Sequence, residues 1–133
     1  MLTVALAYRH GRQEYPTPGD MMLTSLSISD VVLIEALELS FHDGFTALTG
    51  ETGAGKSILL DSLGLAMGER ANAGLGRAGA TEARVSACFE APAGHAVFTL
   101  LSEQGMPADT TDPIVLRRVI SREGRSRAWI NDQ

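Results

Sequence analysis

The residues of this chain with the clearest chemical purpose form one run, Gly50-Glu51-Thr52-Gly53-Ala54-Gly55-Lys56-Ser57. Its spacing matches G-x-x-x-x-G-K-[ST] without deviation. Gly50, Gly53 and Gly55 let the backbone curl, so that successive N–H groups converge on phosphate oxygens. Glu51, Thr52 and Ala54 would contribute backbone to the same cradle. Lys56 would supply a full positive charge to the β- and γ-phosphates, and Ser57 a hydroxyl ligand to Mg²⁺. Lys56 is the sole lysine of the sequence. A compact ammonium fits between two phosphates where a planar guanidinium would not. The run therefore predicts binding of ATP with Mg²⁺.

A glycine-rich turn could carry Gly-Lys-Ser by accident, so the flanking elements decide. Phe45 to Thr49 reads as a short strand running into the loop, and a helix is expected from about Lys56 to Gly68. The partial positive charge of that helix's N-terminus would fall on the phosphates. Ile58, Leu59, Leu60, Leu63, Leu65, Ala66 and Met67 cover most of its circumference, which predicts a buried helix. The motif gives binding and not a reaction. Hydrolysis needs a second, carboxylate-bearing strand to hold Mg²⁺ and orient water. No run of four apolar residues followed by Asp is present, and neither Glu51 nor Asp61 is a persuasive substitute. No catalytic set is complete in this chain.

The remaining elements read mostly as strands. Met22, Thr24, Leu26 and Ile28 alternate with Leu23, Ser25 and Ser27, Ser29-Asp30 marks a turn, and Val31 to Phe41 is a second strand. In that strand Leu37, Leu39 and Phe41 share a face opposite Glu38 and Ser40, before a tight turn at His42-Asp43-Gly44. Gly68 to Gly79 reads as a loop. Val85, Ala87 and Phe89 alternate with Arg84, Ser86, Cys88 and Glu90 in a further strand. Ala96, Val97, Leu100 and Leu101 have helical spacing, with Gly105 at the C-terminal cap position. Ile114 to Ile120 and Arg127 to Ile130 form a hairpin around Glu123-Gly124. Residues 1–20 have no such pattern and are expected to form a loosely ordered extension, with residues 21–133 as one incomplete domain.

Bulk properties narrow the class. The chain has 133 residues, 44% hydrophobic and 20% charged, an ordinary globular balance with room for one core. A formal charge of −5 excludes a basic nucleic-acid coat, so any DNA contact must come from a local patch. A lone cysteine, Cys88, cannot close an internal disulfide and points to a reducing compartment. No apolar run approaches the ~20 residues that span a bilayer, so no membrane partner is expected.

The run TSLSISDVVLIEALELSFHDGFTALTGETGAGKSILLDSLGLAMGER resembles the opening of the RecN family of DNA-repair proteins, an SMC-like branch of the ABC-type ATPases. GRAGATEARVSACFE and VLRRVISREGRSRAWIND fit the same family in order and spacing, so the resemblance spans Met22 to Gln133. It implies an α/β fold: the N-terminal lobe of an ABC/SMC-type ATPase head, with an antiparallel β-layer beside the P-loop strand and helix. It further implies a head split in sequence, whose coiled coil, Walker B carboxylates, signature motif and C-terminal half lie beyond Gln133. Two such heads would close around ATP as a homodimer and act on double-stranded DNA, chiefly at ends, in double-strand break repair and recombination. Such a protein would be cytoplasmic and nucleoid-associated.

Outside the P-loop, Arg77 in GRAGA occupies the place where SMC-like heads carry an arginine that reaches nucleotide or DNA; the plainer reading is a solvated loop arginine. Arg70 has a weaker claim of the same kind. Arg117, Arg118, Arg122, Arg125 and Arg127 cluster on the terminal hairpin, either to meet phosphates or to block sheet-to-sheet association. Alternation puts Arg117 and Arg118 on opposite faces, so they cannot form one stripe. His10, His42 and His95 are scattered and suit surface or turn positions, while Trp129 is expected to pack within the hairpin. The rival readings are a transporter-type ABC subunit, a non-hydrolysing ATP-dependent scaffold and a small-molecule P-loop kinase. The first would require an aromatic upstream of the loop to stack on adenine, and Met22 to Ser40 contains none.

Overall fold

The structure is a computed structural model, and it describes residues 2–3, 8–9, 12–13, 21–41, 47–48, 53–72 and 74–133, with backbone alone for those before residue 21 and for 47–48 and 53–56. In chain order the strands are β1 (Leu2–Thr3), β2 (Tyr8–Arg9), β3 (Arg12–Gln13), β4 (Met22–Val31), β5 (Ile34–Ser40), β6 (Ala47–Leu48), β7 (Glu82–Glu90), β8 (Ile114–Ser121) and β9 (Ser126–Ile130). The helices are α1 (Gly53–Ala66) and α2 (Ala96–Glu103). Five of the strands form one antiparallel sheet in the order β5-β4-β7-β8-β9. The expected β-layer is thus a single sheet, with β7 joining the early hairpin to the terminal one.

Alternation divides the sheet into two faces. Leu26, Ile28, Ala83, Val85, Ala87 and Ile120 are buried on one of them and form the core with Leu63 and Leu65 of α1. Each such large side chain removed from water contributes about 1.5–3 kcal/mol. A satellite cluster of Phe98, Leu101 and Ile114 fixes α2 at the far end of the sheet. The helix α2 opens on His95, whose Nδ1 accepts from the Val97 N–H at 3.1 Å. It closes at Gly105 (φ 74), with the Met106 N–H on the Leu101 carbonyl at 2.9 Å.

Three expectations are corrected. Ser29 and Asp30 remain in β4, Ser29 opposite Ala36, and the turn falls instead on Val32-Leu33 between the paired Val31 and Ile34. The reason lies outside the hairpin. The Val32 N–H donates to the Leu75 carbonyl at 2.8 Å and Val31 bridges Gly76, so the loop after α1 holds the tip, with Asp30 in the strand at a positive φ of 54. The strict alternation of β4 also breaks, because a bulge between Leu23 and Ser25 lets Leu23, not Met22, pack on the core. Finally α1 starts at Gly53, inside the glycine-rich run, and ends at Ala66. Its apolar circumference is not buried all round, since Leu60 is 50% and Met67 44% exposed.

In the region read as an extension, Leu2–Thr3 pairs antiparallel with Ala47–Leu48, and Tyr8–Arg9 pairs with Arg12–Gln13. The turn expected at His42-Asp43-Gly44 lies outside the described residues.

Candidate nucleotide site

The helix α1 is fixed from its C-terminal end. The Glu69 N–H reaches the Gly64 carbonyl at 2.9 Å and the Gly68 N–H reaches Leu65 at 3.2 Å, a 6→1 and 5→2 pair closing the helix at Gly68 (φ 104). Arg118 Nη1 approaches the Leu65 carbonyl at 3.5 Å and brings a cation to the negative end of the helix dipole. Ser62, Leu63 and Leu65 are buried, and α1 packs across β7, β4 and β8. The opposite end of the helix is the sequence-identified loop. Gly53, Ala54, Gly55 and Lys56 form its first turn, followed by the exposed Ser57, and that turn carries no acidic residue.

This arrangement suits a polyphosphate. The first N–H groups of an α-helix have no intrahelical acceptor, and the dipole places partial positive charge there. Gly53 and Gly55 keep Cβ atoms away from that end. With no first-turn carboxylate to repel an anion, the donor set fits a triphosphate. Gly50, Glu51 and Thr52 lie outside the described residues, as do the side chains of Gly53 to Lys56. The preceding strand is present as β6, Ala47–Leu48.

Arg77, a part-exposed loop residue, is tied to the first hairpin. Its Nε donates to Asp30 Oδ1 at 2.9 Å, and its backbone N–H donates to the Asp30 carbonyl at 2.8 Å. The side-chain bond to Asp30 is the largest cause raising the Arg77 pKa, with smaller support from the charge of Glu35. Sequence reasoning missed Asp30 as a partner because it placed that residue in a turn. Arg70, in the other element with a claim on nucleotide, is exposed.

Residues 25–105, the stretch that spans the hairpin, the loop and α1, match the AAA domain family. The chain belongs to that family. This AAA domain is 39% identical over 111 residues to the DNA repair protein RecN of Haemophilus influenzae, covering 83% of the chain and 20% of that relative. It is 43% identical over 111 residues to the RecN of Bacillus subtilis, covering 83% of the chain and 19% of the relative. The chain thus spans about a fifth of the length of the curated relatives it matches. The expected resemblance to an N-terminal RecN-type, SMC-like head segment holds over most of the sequence.

The fold agrees. The Smc head domain of Pyrococcus furiosus, solved with an extended coiled coil and the C-terminal domain of ScpA, superposes with a TM-score of 0.67 at 25% identity, over 86% of this chain and 30% of that one. An SMC ATPase studied for ATP-driven dimerization and DNA-stimulated activation gives 0.59 at 26% identity, over 84% and 70%. RecF bound to ATPrS gives 0.65 at 17% identity, a likeness of fold alone. The AAA domain has the architecture of the N-terminal lobe of an SMC/ABC-type ATPase head, as expected from the sequence.

Proposed function

We propose that this AAA domain is the Mg-ATP-binding segment of a RecN-type ATPase head acting in DNA double-strand break repair and recombination. The observation that carries the reading is the Gly50–Ser57 run opening α1 within an SMC-type lobe, free of acidic residues in its first turn. Backbone N–H groups of Gly53 to Lys56 would hold phosphate oxygens, Lys56 would neutralise the β- and γ-phosphates, and Ser57 would ligate Mg²⁺. The bound Mg-ATP supplies the reactive phosphoanhydride and the charge that brings two heads together. Residues 21–133 act as one half of a head, and residues 1–20 as an extension to it. Its partners are the C-terminal half of the head, a second head and double-stranded DNA, in the cytoplasm at the nucleoid.

The reading is tested by titrating the chain with a fluorescent ATP analogue and Mg²⁺, then measuring turnover alone and with the separately expressed C-terminal half. Binding that weakens about tenfold or more in Lys56→Ala is expected, with turnover only in the mixture. Binding indifferent to Lys56→Ala would overturn the nucleotide site. Robust turnover by the chain alone would place the catalytic carboxylate here and overturn the split head. Tight binding without turnover in the mixture would favour a non-hydrolysing scaffold.

A further inference from the structure

The face of the sheet turned away from α1 gathers arginines that the sequence scatters. Register places Arg117 opposite Ser86 and Trp129, and Arg84 opposite Val119, which in turn faces Arg127. Alternation then sets Arg84, Arg117, Arg127 and Trp129 on one face, while Arg118 turns to the other and meets the carbonyl of Leu65 on α1. Neighbouring strands lie about 4.8 Å apart, so the three guanidiniums share a patch spanning β7, β8 and β9. Trp129 organises two of them: the Arg117 guanidinium carbon lies 4.7 Å and that of Arg127 5.6 Å from its ring centroid.

The surroundings favour an anionic partner. The chain's formal charge of −5 makes this concentration of arginine a local exception. Ser25, Ser27, Ser29 and Ser86 continue the same face with small hydroxyl groups, beside Val115 and the buried Val119. The acids on it are Glu38 and Glu90 away from the patch, and Glu82 and Asp132 within it. Asp132 pairs with Arg117 at 3.0 Å, while Glu82 pairs with Arg84 and lies 3.9 Å from Arg127. Arg84 is 62% and Arg127 69% exposed, so these are weak, solvent-screened pairs that a phosphate can displace.

We propose that Arg117 and Arg127, held around Trp129, and Arg84, held by Glu82, form a contact surface for the phosphate backbone of duplex DNA on the sheet face opposite α1. The proposal rests on the repair-ATPase reading for its choice of DNA. It concerns a surface separate from the P-loop, and it carries no base specificity, because guanidinium–phosphate contacts position a duplex without reading it.

The test is fluorescence anisotropy of a labelled duplex with the full chain over a salt series, comparing wild type, the triple variant Arg84→Gln/Arg117→Gln/Arg127→Gln, and Glu82→Gln. Removal of one arginine–phosphate interaction should reduce the slope of log K against log salt by about 0.9. The triple variant should lose affinity by about tenfold or more, and Glu82→Gln should gain several-fold by freeing two arginines, a change a merely structural role would not produce. Arg84→Gln and Arg127→Gln singly serve if the triple variant melts early, each expected to flatten the slope. Unchanged slope and affinity in folded variants, displacement of a polyglutamate peptide but no duplex binding, or no gain in Glu82→Gln would overturn the proposal. ATP-analogue binding lost in Lys56→Ala yet intact in the triple variant keeps this outcome separate from that of the nucleotide site.

Discussion

Arg77 and Asp30 are joined twice, through a side-chain bond of 2.9 Å between Nε and Oδ1 and a backbone bond of 2.8 Å from the Arg77 N–H to the Asp30 carbonyl. Together with the Val32–Leu75 bond and the Val31–Gly76 bridge, they fasten the loop after α1 to the tip of the β4–β5 hairpin. The loop that follows α1 is thereby set by the first hairpin. Asp30→Ala removes the side-chain bond and leaves the backbone one. Hydrogen exchange at the Arg77 amide is expected to quicken severalfold with little change in global melting, since the pair is part-exposed. Unaltered exchange would show that the backbone bond alone holds the loop.

Val32 sits at φ 51, a region a β-branched residue rarely enters, and its side chain is 38% exposed. Little burial offsets the strain. Val32→Asn, which tolerates that conformation, is expected to stabilise the chain by roughly 1 kcal/mol in urea denaturation. A loss of stability would mean that the exposed valine packs usefully.

At the end of α1, an added Cβ on Gly64 would come 2.3 Å from Glu69 Oε2, the mobile end of a side chain. Gly64→Ala alone should gain little, because Glu69 must swing away. In a Glu69→Ala background the same change should gain up to about 1 kcal/mol, the helix preference of alanine over glycine. Additive effects in the double-mutant cycle would contradict the contact. Gly68→Ala, at φ 104, should instead cost about 1 kcal/mol.

Ser62 is fully buried, and its Oγ finds no hydrogen-bond partner among the described residues. Burial of an unsatisfied hydroxyl is unfavourable, so Ser62→Ala is expected to be neutral or to stabilise by about 1 kcal/mol. Destabilisation beyond that range would reveal a partner for the hydroxyl.

Asp109 accepts the Thr111 N–H at 2.9 Å and the Thr111 hydroxyl at 2.7 Å. The backbone bond first, and the hydroxyl second, hold its pKa below the usual carboxylate value. A depressed folded pKa means stability that is present above the unfolded value of about 3.9 and lost as pH falls through the folded one. Asp109→Asn should therefore lower stability at neutral pH and match wild type in strong acid. An NMR titration placing the Asp109 carboxyl at or above the unfolded value would refute this.

Local structure was written plainly in the sequence. The helix following the glycine-rich run, the alternation of Val85, Ala87 and Phe89 and the glycine cap at Gly105 were legible, because each depends on neighbours a few residues away. The similarity to RecN-type heads was legible too, since it is carried by contiguous segments. What tertiary structure alone decided was pairing across the chain. Asp30, at φ 54, lies within β4 as a partner of Arg77 because a loop more than forty residues later bonds to the hairpin tip. Arg84 joins Arg117 and Arg127 on one face because β7 pairs with β8 in a register that no local periodicity encodes. A period-2 pattern states which residues share a face within one strand; which strands lie side by side is set by the core they bury together.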